Sequence, residues 1–117
     1  MSIIAHMLGA ALLVNSVPHL VHGVSGSPFQ TPFASPPGIG LSQPSTNVLW
    51  GGFNFAAGCG LLWGVGEFQF GANPGTALVF ITGLAFGVAL GRRAQTNRAR
   101  QRALAAEAAL DAPSSPA

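Results

Sequence analysis

Thr46-Asn-Val-Leu-Trp-Gly-Gly-Phe-Asn-Phe-Ala-Ala-Gly-Cys-Gly-Leu-Leu-Trp-Gly-Val-Gly66 decides the fold class. The stretch carries no charge, two asparagines seven apart, and a tryptophan about one turn from each end. Tryptophan belongs at the boundary between lipid and water, so Trp50 and Trp63 read as interfacial anchors. Ser45 or Thr46 is suited to cap the helix. Gly52, Ala56, Gly60 and Gly64 recur every fourth residue and line one face. Asn47 and Asn54 share a face roughly opposite.

The same character extends outward from this segment. No Asp, Glu, Lys or Arg precedes Glu67. Charged residues make up 7% of the 117-residue chain, against about 25% in an ordinary soluble domain. Mean hydropathy is +0.45. These values exclude a conventional soluble domain and point to a small integral membrane protein. Cys59 is the only cysteine, so an intrachain disulfide or a cysteine-based zinc site is ruled out.

Upstream, residues 2–22 (SIIAHMLGAALLVNSVPHLVH) are predicted to form a first span of roughly 30 Å at the helical rise. A signal peptide fits poorly, because no basic region opens the segment and Asn15, Pro18, His19 and His22 fall where a cleavage site needs small residues. Downstream, Asn73-Pro74 places a cap before a proline at the first helical position. That opens a third span at about 74–91, ended by Arg92 and Arg93. The expected fold is an all-α membrane protein with three transmembrane helices at about 2–22, 46–66 and 74–91, forming a domain over 1–91. An Arg/Ala-rich cytoplasmic helix is expected over 92–112, followed by a disordered tail over 113–117.

Between the first two spans, residues 25–45 (SGSPFQTPFASPPGIGLSQPS) hold too much Pro and Gly for a helix or a central strand. Phe29, Phe33, Ile39 and Leu41 distinguish the segment from a flexible linker. It reads as an ordered loop at the membrane surface, where protein or water must satisfy its backbone.

All five arginines follow the third span. Arginine beside a span favours the cytoplasmic side, so the C-terminus is placed inside, the N-terminus outside and the Pro/Gly loop inside. The arginine cluster reads as a membrane-flanking anchor, and nucleic acid is not an expected partner. The inner membrane is the expected location.

Small residues drive helix association in lipid. Gly52, Ala56, Gly60 and Gly64 on the second span, with Gly83, Gly87 and Gly91 on the third, are the expected packing positions. They serve either the hairpin within one chain or contact with other transmembrane helices. Asn15, His19 and His22 share a face of the first span at i, i+4 and i+7. Depth counting sets Asn15 level with Asn54, and the histidines level with Asn47. These polar faces are expected to meet.

His19 and His22 are the candidate cofactor ligands or proton carriers. Against a metal stands the absence of any carboxylate at that depth. No catalytic signature is present. The reading favoured on sequence is an accessory or scaffolding subunit of a larger membrane complex, or a homo-oligomer. The alternatives are a cofactor- or proton-handling subunit of an energy-converting complex, and a small oligomeric channel or transporter.

The combination Asn15-Ser-Val-Pro-His19, Phe29-Gln-Thr-Pro-Phe33, Pro37-Gly-Ile-Gly-Leu-Ser42 and Asn47-Val-Leu-Trp-Gly51 with Asn54 resembles a group of short bacterial integral membrane proteins of unassigned function. The likeness spans residues 3–66. It implies that the loop and the polar faces form one ordered unit, and it implies no activity.

Orientation is open to direct test. A tag on the C-terminus is expected to resist protease added to intact spheroplasts and to be digested once they are permeabilised. Digestion before permeabilisation would reverse the assigned topology.

Overall fold

The computed structural model describes residues 2–116. Three helices carry the fold: α1 (Ser2–Val24), α2 (Pro44–Gly64) and α3 (Pro74–Asp111). Two short strands, β1 (Phe29–Gln30) and β2 (Leu41–Ser42), pair antiparallel within the α1–α2 connection, with Phe29 opposite Ser42 and Gln30 opposite Leu41. The molecule is elongated, at 68 × 24 × 23 Å. α1 and α3 are long and apolar enough to cross a membrane, whereas α2 is not placed with them.

Two boundaries differ most from expectation. α2 opens at Pro44 with Gln43 at the N-cap and no side-chain cap, so Ser45 and Thr46 lie inside its first turn. Proline at the first helical position brings a preset φ and has no N–H to satisfy, which makes a hydroxyl cap dispensable. α3 does not stop at Arg92 and Arg93 but runs unbroken over 38 residues. A lone Gly91 costs about 1 kcal/mol against alanine, and the Ala/Arg/Gln/Leu-rich stretch after it restores helix propensity. The separate helix over 92–112 is therefore the distal half of α3. Beyond it, residues 113–116 are irregular, and Ala117, like Met1, lies outside the described residues. The start of α3 follows its sequence signal: Asn73 Oδ1 accepts from the Thr76 amide at 2.9 Å.

α1 is the central helix. α2 and α3 each pack on it and scarcely touch each other. The α2 face against α1 consists of Asn47, Gly51, Asn54, Gly58 and Leu62, all buried. Glycine permits the close approach. A Cβ on Gly58 would lie 2.9 Å from the Gly9 carbonyl oxygen and 2.8 Å from Leu13 Cγ. A Cβ on Gly51 would lie 3.0 Å from the Leu20 amide nitrogen.

The face carrying Gly52, Ala56, Gly60 and Gly64 is turned away. All four residues are exposed, and a Cβ on any of the three glycines would meet nothing within 4 Å. An intrachain hairpin role for this ladder is thus corrected. The asparagines need partners and draw their own face inward, so the opposite stripe is left outside. On α3, Gly83 and Gly87 face Val14, whose methyl carbons would lie 3.3 and 3.5 Å from an added Cβ. Gly91 has no neighbour that close.

Burial is inverted relative to a soluble protein. Ala10 and Leu62 are the buried hydrophobic residues, while Asn47, Asn54, Thr31 and Ser16 are the largest fully buried side chains. Leu49, Phe53, Phe80, Ile81, Leu84 and Val88 are exposed.

Gly58→Ala is expected to destabilise the α1–α2 pair by about 1–3 kcal/mol through overpacking, and Gly60→Ala to leave it unchanged. Thermal unfolding in detergent measures both. Equal effects would contradict the assigned packing face.

Candidate functional site

α1 and α2 meet through two polar layers. In the deeper one, Asn15 Nδ2 donates to Asn54 Oδ1 at 3.1 Å. Asn54 Nδ2 donates to the Trp50 carbonyl at 2.8 Å, which fixes that amide with its oxygen toward Asn15. One turn on, His19 Nδ1 lies 2.8 Å from Asn47 Oδ1. Asn47 is 0% exposed. Its Nδ2 donates to the carbonyls of Phe29, Ser42 and Gln43 at 3.1, 3.3 and 3.2 Å. Two hydrogens among three acceptors makes one of these contacts bifurcated.

This arrangement settles the His19 tautomer. Asn47 Nδ2 faces carbonyl oxygens, so Oδ1 is the atom turned to the imidazole and can only accept. The imidazole proton therefore sits on Nδ1, and Nε2 of the neutral ring carries a lone pair. Nε2 has no partner among the described residues, yet no buried side-chain nitrogen or oxygen is left unpaired. Nε2 consequently reaches open space. His19 is 5% exposed and lines a cavity of about 450 Å³.

The loop is organised around the same residues. Phe29 stacks on His22 with centroids 4.3 Å apart and meets His19 edge-on at 5.3 Å. Thr31, which is buried, shares a hydrogen bond with Ser42 through their hydroxyls. Its carbonyl accepts from the Gly38 amide at 2.8 Å. The Ser35–Pro36 peptide is cis, and Gly38 takes a φ of +72° that favours glycine. From the other side, Asn97 Nδ2 donates to the Gly38 carbonyl at 3.0 Å and Gln101 Nε2 to the Ile39 carbonyl at 2.6 Å. The distal half of α3 thereby clamps the loop.

The residues singled out on sequence divide into groups. Asn15, His19, Asn47 and Asn54 come together directly. His22 joins them through Phe29, with its ring stacked there. Trp50 lies edge-on to His19 at 6.5 Å and to Phe33 at 5.1 Å, and lines the cavity. Arg93, Gly87 and Gly91 line it also. Arg92 is exposed, and its carbonyl accepts from the Thr96 hydroxyl at 3.3 Å. Trp63 belongs to the opposite end of the molecule, where it meets Phe68. There His6 Nε2–H donates to the Val65 carbonyl at 2.7 Å. Among the described residues, no three of His, Cys, Asp and Glu converge.

Thr31, Ser42, Asn97 and Gln101 escaped the sequence reading. Asn97 and Gln101 carried a usable signal, being two uncharged amides at i, i+4 within an arginine-rich stretch. No family model, curated protein or solved structure matches the chain.

Asn47→Leu removes the side-chain bonds to the Phe29 and Ser42 carbonyls and to the His19 N–H, while the Gln43 carbonyl keeps the backbone amide of residue 47. Each buried polar group left unpaired costs about 1–3 kcal/mol, so the loss is expected at the upper end of that range or above. Asn15→Leu removes a single interhelical bond and is expected to cost about 1 kcal/mol. Unfolding in detergent should rank them in that order, and equal losses would remove Asn47 from its central place.

Proposed function

We propose that the chain is a three-span membrane subunit that works by helix–helix docking, as an accessory or scaffolding subunit of a larger membrane complex or as a homo-oligomer. The observation that carries this reading is the uncovered Gly52–Ala56–Gly60–Gly64 stripe on α2. Its glycines have open space where a side chain would stand. Leu49 and Phe53 form an exposed ridge on one side, and Phe55 and Trp63 one on the other. A shallow groove between ridges lets a second helix approach closely, and close backbone approach drives association in lipid.

The inverted burial supports a lipid surround. Apolar side chains face outward on every helix, and the amides and hydroxyls face inward. α2 lowers its hydropathy with Asn47 and Asn54, and both are satisfied against α1 or the loop. It therefore presents an apolar exterior and crosses alongside α1. The loop and the arginine-bearing half of α3 meet at one end through Asn97 and Gln101. That agrees with both lying on the cytoplasmic side under the arginine rule.

A second reading, that the chain handles a cofactor or protons, has one specific observation in its favour. His19 lines a cavity, and its Nε2 has no hydrogen-bond partner among the described residues.

Gly60→Leu fills the groove without touching the rest of the chain. The native protein, measured by mass in mild detergent, is expected as an assembly larger than one chain. The variant is expected as the bare monomer with unchanged melting. Assembly of the same mass in both would overturn docking through this stripe.

A further inference from the structure

We infer that the cavity between α1, the loop and α3 is a binding site for a hydroquinone-type amphiphile, one ring hydroxyl donating to His19 Nε2 and the apolar tail leaving between α1 and α3. This inference does not depend on docking through α2, because the Gly52–Ala56–Gly60–Gly64 stripe does not line the cavity.

The cavity arises from how α3 rests on the molecule. α3 touches α1 where Gly83 and Gly87 meet Val14, and touches the loop where Asn97 meets Gly38. Between Gly87 and Asn97 lie roughly 15 Å of helix. Along that stretch Leu90, Gly91, Arg93 and Ala94 line the cavity. The half-open volume of about 450 Å³ suits a small-molecule head.

The walls specify the chemistry. Val14, Val17, Pro18 and Leu90 make the lining mainly apolar, and Trp50 and Phe29 add flat aromatic surface beside His19. Two lining side chains carry an acceptor atom with no hydrogen-bond partner among the described residues. His19 Nε2 is one, fixed by the Asn47 network. Asn15 Oδ1 is the other. The Asn15 amide nitrogen is committed to Asn54, its oxygen has no partner among the described residues, and it is not buried unpaired. The lining also holds donors: the Gln30 amide, and the Arg93 guanidinium, which lies near Gly38 and has no carboxylate among the lining residues.

A ligand that satisfies this set must both donate and accept. A phosphate or carboxylate head accepts only; it would satisfy Arg93 and leave both acceptors bare. A divalent ion would find one imidazole and no carboxylate. A sugar would leave most of its hydroxyls against apolar wall. A para-dihydroxy ring fits both requirements, donating through one oxygen and accepting through the other. Its flat head matches the Trp50 and Phe29 surfaces. Its tail has an exit past Val17, which is exposed.

The test uses the full chain in neutral phosphatidylcholine nanodiscs under anaerobic conditions. Trp63→Phe leaves Trp50 as the sole tryptophan emitter. A decyl-tailed 1,4-benzohydroquinone is expected to change Trp50 emission saturably. Its dimethyl ether, which has no hydroxyl to donate, should bind at least tenfold more weakly. A dioctanoyl phosphatidic acid should compete no better than the ether. Gly91→Leu projects into the cavity from a position with no neighbour within 4 Å. It should weaken hydroquinone binding at least tenfold with helicity and melting unchanged. His19→Phe should bring hydroquinone and ether within twofold of each other. Gly91→Leu keeps the proposal testable should that variant fail to fold. A linear, unsaturable response, equal affinity for the ether, tighter binding of the phosphatidic acid, or unaltered binding by Gly91→Leu would each overturn the site.

Discussion

A backbone rich in proline and glycine cannot satisfy its own polar groups, and Asn47 supplies what the segment between α1 and α2 lacks. Only four residues of that segment pair as strand, so its remaining carbonyls depend on side chains or turns. Asn47 takes three of them while standing in the first turns of α2. Its oxygen meanwhile holds His19 of α1. One amide thus ties two helices and the loop into a single unit. At zero exposure, each of its bonds forms where the alternative is an unpaired group rather than water.

Once that unit exists, the rest of the packing has little freedom. The Asn47 face must point at α1, so Gly51, Asn54 and Gly58 point there too, and the helices close to backbone contact. Among the described residues the buried hydrophobic ones are Ala10 and Leu62, so cohesion between the helices comes mainly from close backbone packing and interhelical hydrogen bonds. α1 is central because it alone bears contact surfaces on two sides: Gly9, His19 and Gly23 toward α2, and Val14 toward α3. Sequence-adjacent α2 and α3 are left apart.

The polar half of this architecture was legible in the sequence. Helical periodicity put Asn15 with His19 and Asn47 with Asn54, and counting inward from the helix ends gave their depths. The glycines were harder. A regular four-residue ladder at Gly52–Gly64 draws the eye, but regular spacing states only that residues share a face, not which face is inside. The better guide was already present: Gly51 and Gly58 each lie four residues beyond an asparagine that must be buried. Asn97 and Gln101 were hidden differently. Their partners are backbone carbonyls of a loop whose path no local pattern encodes. The same holds for the cavity, which depends on where α3 rests on α1 and the loop.

The two surfaces assigned function are distinct, and one side chain adjoins both. On α2, the asparagine face looks at α1 and the glycine ladder looks roughly the opposite way, with Trp50, which lines the cavity and stacks on Phe53 of the groove's ridge, standing between them. The cavity, by contrast, is inseparable from the loop. Phe29 lines it, lies against His19 and His22, and gives its carbonyl to Asn47. Arg93 lines it from the helix whose next turn carries Asn97, bound to the loop at Gly38. The orientation of the Asn47 amide decides two things together: whether the loop carbonyls are satisfied, and which nitrogen of His19 bears the proton. Reversing that amide would set its oxygen against three carbonyls, so the loop holds the imidazole in the tautomer that leaves the lone pair on Nε2.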